Sequence, residues 1–279
     1  MAALGVVATL CGLTALGVWL ETAPAHLPQT EVQDVTGLVR IDTDFVARPH
    51  SVDEVRRLVR EHHGPISIGG GRYSMGGQVG TDGTLFLDLR EMDDIQAFDP
   101  EARTIRVEAG ASWRTIIEHI DPHDLSVRIM QSYANFTVGG SLSVNAHGRY
   151  VGEGPLAHSV RELDLVLASG DLVRCSRTEN PELFWAVVGG YGGLGVITAV
   201  TLDLSPNEAL ARTVQRMPAS EFFGWFEREM RHAPNAVFFN ADLYPPDYDD
   251  LVAITFSRTD EPVTIPERLQ QPGLSLIHI

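Results

Sequence analysis

The sequence predicts an α+β fold: a ligand-binding unit of mixed helices and strands, followed by the start of an antiparallel sheet. Three observations predict it. Glycine-rich turns recur at Ser67–Gly77, Phe136–Gly148 and Gly189–Gly195. Capped amphipathic segments and short apolar, β-branched runs alternate between them. After Pro206 the texture changes to an aromatic helix and two strand-like runs, with no further glycine cluster.

Residues 2–20 carry no charge and are apolar or small throughout, long enough to span a bilayer as a helix. Residues 1–22 are therefore expected to form a hydrophobic anchor or signal segment. No basic region precedes the run, so the uncleaved anchor is favoured over a secretory signal, although Ala23-Pro24-Ala25 resembles a cleavage site. The expectation is membrane association through residues 2–20, as a single N-terminal anchor of unread orientation.

The first folded unit opens with a helix between Pro49 and Gly64. Ser51 and Glu54 form a capping box, Val52, Val55, Leu58 and Val59 make an apolar stripe, and Gly64-Pro65 ends it. Ile66-Ser67-Ile68 is a strand-like run that delivers the chain into a loop holding five glycines between Ser67 and Gly77. Such a cluster leaves backbone N–H groups uncovered and able to converge on an anion. A tight turn without a ligand is the plain alternative. No lysine follows the glycines, which excludes a P-loop. Ser74 stands at the third glycine position of a dinucleotide fingerprint, and Gln78–Gly83 is turn-like where that fingerprint opens a helix. Leu85–Leu89 then reads as a strand.

Ile95–Phe98 and Thr104–Glu108 read as a hairpin across Asp99–Ala102, and Ser112 caps a helix from Trp113 to Ile120. In Phe136–Gly148 paired glycines sit among small residues, which suits a short helix pressed against a flat ligand. Arg161–Leu167 and Asp171–Cys175 form a hairpin around Ala168-Ser169-Gly170. Asn180 precedes a helix with Pro181 at its first position, and Phe184 and Trp185 are expected to anchor that helix in the core. Gly189–Gly195 leads into a half-buried strand, Val196–Leu204. Beyond Pro206, Phe222, Phe223, Trp225, Phe226 and Met230 mark a helix, and Ala236–Leu243 and Leu251–Phe256 mark strands.

Over 279 residues the formal charge is −16 and the pI near 4.9, which argues against a nucleic-acid partner. Any bound phosphate would be held by local N–H groups and single arginines. Two cysteines, Cys11 and Cys175, support neither a disulfide framework nor a metal site, and Cys175 reads as a silent strand residue. The closing Leu274–Ile279 breaks from the acidic, proline-punctuated text before it and is expected to be a non-native tail.

Three glycine turns suit one extended ligand touched at three places. The stretch from about Arg48 to Pro206 resembles the flavin-binding domain of the vanillyl-alcohol oxidase/p-cresol methylhydroxylase (PCMH) superfamily. The resemblance rests on the loop Gly69–Ser74, the Thr137-Val138-Gly139-Gly140…His147-Gly148 stretch and Glu182–Ala186 before Gly189-Gly190. Within the superfamily it is most like decaprenylphosphoryl-ribose oxidases and the sugar-lactone and alditol oxidases. It implies a two-subdomain FAD-binding domain over residues 44–206 and an incomplete substrate (cap) domain over 207–273.

It also implies a site. Ser67, Ile68, Gly69, Gly70, Gly71, Arg72, Tyr73, Ser74, Met75, Gly76 and Gly77 would hold the FAD pyrophosphate, with Gly70 and Gly71 allowing close backbone approach. Thr137, Val138, Gly139, Gly140, Val144, Asn145, Ala146 and His147 would line the ribityl and flavin path. Val196 would accept the adenine side, and Ser132 would add a backbone contact. His147 is also a candidate for the chemistry, against the plain reading of a core histidine; no catalytic base is named. Many relatives attach flavin to a histidine immediately before the loop serine. Here that residue is Tyr73, so FAD is expected to bind without a covalent link. The implied activity is oxidation of an alcohol carbon on a sugar, sugar lactone or polyol-like small molecule, with oxygen, a quinone or a cytochrome as acceptor. The alternative is a membrane-tethered flavin-binding or electron-transfer subunit without turnover of its own.

Overall fold

The computed structural model describes residues 30–266 and residue 268. The expected anchor over residues 2–20 and the tail Leu274–Ile279 lie outside the described residues. Among the described residues no helix is long and apolar enough to cross a membrane. The expected transmembrane helix, membrane association and anchored localisation are corrected accordingly: no described element supports them.

The chain opens with a small antiparallel hairpin, β1 (Glu31–Gln33) and β2 (Arg40–Asp42). Then β3 (Phe45–Ala47), helix α1 (Val52–Glu61), β4 (Ile66–Gly69) and β5 (Leu85–Asp88) build a parallel sheet in the order β3-β5-β4. Parallel neighbours need a crossover, usually a helix. α1 serves between β3 and β4. Between β4 and β5 the crossover is the glycine-rich loop, residues 70–84, which leaves the carboxyl end of β4 uncovered by a helix. Ser51 caps α1 by accepting from Glu54 N at 3.3 Å, while Glu54 reaches back to His50 N at 2.7 Å, one residue before the cap.

A second, antiparallel sheet follows. Its strands are β6 (Ile95–Asp99), β7 (Thr104–Glu108), β8 (Leu125–Val127), β9 (Val160–Val166), β10 (Leu172–Ser176) and β11 (Val196–Pro206). The order is β10-β9-β11-β7-β6, with β8 pairing the far end of β11. Helices α2 (Trp113–Ile120), α3 (Val138–Ser143) and α4 (Pro181–Val187) fill the connections. β11 was expected to be half buried. Its first five residues, Val196–Val200, are all buried, because β9 and β7 flank it and α3 packs against it. Asn180 occupies the position before α4, yet its side chain turns back to donate to Arg174 O at 2.7 Å and makes no cap bond.

One contiguous apolar core joins the parallel and antiparallel sheets, with Trp113, Phe184, Ile116 and Leu163 fully buried, while Phe86 anchors a smaller cluster with Val32, Ile41 and Val79. Phe184 anchors α4 as expected. Trp185 does not: it is 51% exposed and stacks under the Arg177 guanidinium, 5.6 Å from its ring centre. One residue further round a short helix is a rotation of about 100°, away from the face that Phe184 and Val187 bury.

The last layer is β12 (Leu210–Pro218), α5 (Ala219–Trp225, continued as a π turn through Met230), β13 (Ala236–Leu243) and β14 (Asp250–Arg258). The strands pair antiparallel as β12-β14-β13, with Phe222 and Trp225 packed on Met217, Leu251 and Ala253. Phe223 is on the outer face of the same helix and exposed. The stretch after Gly148 reaches across to this sheet: Val151 N donates to Val237 O and Phe239 N to Arg149 O, both at 2.9 Å. The fold is thus α+β, a unit of one parallel and one antiparallel sheet followed by a further antiparallel sheet.

Candidate functional site

Two loops face each other at the carboxyl end of β4. The first is the crossover loop itself. It is tied down from outside by the β1–β2 hairpin: Val35 N donates to Arg72 O at 2.9 Å, and Gly76 N donates to Asp34 Oδ2 at 3.1 Å. Hydrogen bonds from Thr36 first, and from Gly76 and Gly37, hold the Asp34 carboxyl below its ordinary range despite burial. The second loop is the N-terminus of α3. Val138 N and Gly139 N are spent on Ala111 O and Ala109 O, and Thr137 Oγ1 accepts from Gly71 N at 3.3 Å. The third glycine turn completes the ring, since a Cβ at Gly192 would stand 3.0 Å from Ile68 Cδ1.

The loop glycines therefore have protein partners. A Cβ at Gly69 would fall 2.2 Å from the Phe86 ring, at Gly70 2.2 Å from Thr137 Oγ1, and at Gly71 2.9 Å from the Tyr73 ring. Close approach is needed for loop to meet loop, whatever lies between them.

Together the loops line an open cleft of about 260 Å³. Its walls include Ile68, Gly69, Gly70, Gly71, Arg72, Tyr73 and Ser74 from the first loop, and Thr137, Gly139, Gly140 and Val144 from the second. Several expected residues sit elsewhere. Ser67 bonds Thr84 Oγ1 at 2.7 Å, Met75 is 67% exposed on the loop tip, and Gly76 and Gly77 make the left-handed turn behind it. Val138 is in the core, and Val196 is buried at the start of β11. Asn145 carries φ +44° and accepts from Ala157 N, Ala146 N bonds Ser141 O, and Ser132 is half buried outside the lining. His147 is exposed, with Nδ1 3.3 Å from Gly148 O, and does not line the cleft.

Residues that the sequence argument missed also line it: Gln78, Val79, Leu89, Ala109, Gln131 and Tyr191 among them. The largest omission is a charged group beneath the first loop. Asp88 is fully buried and receives Arg90 Nε and NH2 at 2.8 and 2.6 Å and Arg72 NH2 at 2.7 Å, with Arg48 Nε at 3.6 Å. Burial pushes this carboxyl up, but the Arg90 hydrogen bonds and the Arg72 charge outweigh it and hold it below the ordinary aspartate range. Three guanidinium groups surround this one carboxylate, and of them Arg72 lines the cleft. Arg72 Nε is buried there with no hydrogen-bond partner, and Arg72 itself takes a left-handed backbone, φ +60°.

Tyr73, Tyr133 and Phe136 form an edge-to-face cluster on one wall, with ring centres 4.9 to 5.5 Å apart. Burial, then hydrogen bonding with Tyr133, pushes the Tyr73 phenol above its ordinary value, so it stays protonated at neutral pH. Among the described residues no group of acidic, histidine or cysteine side chains could hold a metal ion. Cys175 is a free, buried thiol raised by burial.

These residues fit FAD. The Arg72 guanidinium and the glycine backbone suit a diphosphate, and the apolar walls Ile68, Val79, Phe136, Val144 and Ile197 suit flat rings. The comparisons agree. The FAD binding domain family matches residues 43–176. Cytokinin dehydrogenase 5 of Arabidopsis thaliana is 29% identical over 74% of this chain and 43% of its own length. Alditol oxidase of a Streptomyces species is 34% identical over 63% of this chain and 42% of its own. Decaprenylphosphoryl-beta-D-ribose oxidase of Mycolicibacterium smegmatis is 31% identical over 68% and 39%. The chain thus spans about two fifths of the length of these relatives. Fold and glycine turns agree with that match: over residues 43–176 the chain is similar to the FAD binding domain family.

Proposed function

We propose that this chain carries the cofactor-binding part of an FAD-dependent oxidoreductase that oxidises an alcohol carbon of a sugar, sugar lactone or polyol-like substrate. One observation carries the reading: three glycine turns from separate elements converge on one cleft, and two of the three lie in the segment that matches the FAD binding domain. The substrate class is supported by the alditol oxidase and L-gulonolactone oxidase relatives, the latter from Bos taurus at 31% identity over 60% of this chain.

Bound FAD would supply the hydride acceptor. The first loop and the Arg72–Asp88–Arg90 group would hold the diphosphate. Thr137, Gly139, Gly140 and Val144 would lie along the ribityl and ring path, with Val138, Asn145, Ala146 and His147 shaping it from behind, Val196 on the adenine side and Ser132 adding a backbone contact. Tyr73, a protonated phenol packed on two rings, would wall the flavin without bonding to it, so the cofactor is non-covalent. Residues 207–273 would begin the substrate-covering part.

Reconstitution with FAD tests this, followed by hydrogen peroxide release in air and dye reduction without oxygen across alditols, sugar lactones and cytokinins. Turnover of an alditol or lactone is expected. Cytokinins join the panel because of the cytokinin dehydrogenase relatives, and turnover of these alone would overturn the substrate class. FAD binding with no turnover anywhere would favour a flavin-binding or electron-transfer subunit, and failure to bind FAD would end the proposal.

A further inference from the structure

We infer that Gln131 is a cofactor-contacting residue that donates a hydrogen bond from its side-chain amide to an acceptor atom of the bound cofactor; this rests on the cleft taking FAD. The inference starts from Trp113, fully buried in α2, whose indole nitrogen can only donate. That N–H is shared between Gln131 Oε1 and Ser141 Oγ, both at 3.1 Å. Ser141 is saturated in turn, because its hydroxyl donates to Thr137 O at 2.9 Å. An indole donor fixes which end of the glutamine amide faces it: the oxygen must turn to Trp113, and the NH2 group must turn away.

Gln131 lines the cleft, and its nitrogen has no hydrogen-bond partner among the described residues. The segment carrying it packs closely on Gly148, where an added Cβ would fall 2.2 Å from Met130 O. A two-proton donor is therefore presented beside Phe136, Thr137 and Gly140, with its orientation set by a core tryptophan. Phosphate, ribityl and ring oxygens of FAD and its unprotonated ring nitrogens are acceptors of the matching kind. The signal was invisible in the sequence, since Trp113 and Gln131 meet only through the packing of α2 on residues 129–131.

The experiment compares the wild-type chain with Gln131→Met and Gln131→Glu, measuring FAD affinity by titration and the thermal midpoint of each protein without FAD. Trp113 keeps Ser141 as acceptor in both variants, and Gln131→Glu also keeps an oxygen facing the indole. The expected result is an unchanged midpoint for Gln131→Glu and FAD affinity weakened about tenfold or more in both variants, the loss of one well-placed hydrogen bond. Wild type that binds FAD, with variants that match it, would overturn the role of Gln131 alone. A stability loss confined to Gln131→Met, with Gln131→Glu binding normally, would reduce Gln131 to a partner for Trp113 and also overturn it. Wild type that binds no FAD would instead remove the cofactor reading on which the inference rests.

Discussion

At the scale of single residues the protein concentrates its electrostatics on Asp88. Its side chain is 1% exposed, and it is the shared ion-pair partner of Arg72 and Arg90. Removing one partner of such a buried pair leaves a charge without compensation and costs about 3–5 kcal/mol. Asp88→Asn should therefore destabilise the cofactor-free protein by that order in denaturant titrations at pH 7, and loosen the first loop. The pH dependence has a definite sign. The folded-state carboxyl lies below the ordinary value of 3.8, so its contribution is complete above that value and lost as pH falls through the lower, folded one. Wild type should lose stability in that acidic window, and Asp88→Asn should show a flatter profile there. Tyr73 gives a second test at this scale. After acid precipitation of the FAD-loaded protein the yellow colour should leave with the supernatant; colour held in the pellet on a peptide containing Tyr73 would refute the non-covalent reading.

Elements explain how loop meets loop. The Gly70–Thr137 approach joins the crossover loop to α3, so Gly70→Ala should cost about 1–3 kcal/mol by overpacking. Thr137→Ala should recover much of that loss, because the nearest atom to the new methyl is the hydroxyl at 2.2 Å. A double-mutant cycle with additive costs would show that the two loops are uncoupled. Elements also show what was legible in the sequence. α1 was readable because its cap and its Val55–Val59 face are local, and β4 and the glycine loop because glycine clusters are conspicuous. β1 and β2 were not, since each buries a single apolar residue, Val32 and Ile41, between polar neighbours. β12 escaped for a similar reason: Leu210–Pro218 is almost wholly exposed and shows no apolar face. The Arg72–Asp88 pair and the Trp113–Gln131 contact are products of tertiary packing, so no spacing rule could expose them. Trp185 was misplaced because aromatic content says nothing about which side of a short helix faces the core.

On the scale of the whole molecule, the cleft is bounded by elements from both sheets, and FAD binding should stabilise the global fold. At a ligand excess of 100 Kd the gain is about 2.7 kcal/mol, visible as a concentration-dependent rise in the thermal midpoint. FAD that leaves the midpoint unmoved would show that it does not bind the folded protein in preference to the unfolded chain. The pairing of Arg149–Val151 with β13 carries a different consequence. The polypeptide leaving the second glycine turn also bridges to the edge of β13 at Phe238. A cut after Pro206 would therefore not yield two independent modules. The C-terminal piece would keep β13 with a bare row of amide and carbonyl groups along its rim, a template for strand addition between molecules. Such a piece should precipitate or self-associate, and adding back the N-terminal piece should dissolve it by restoring the missing edge.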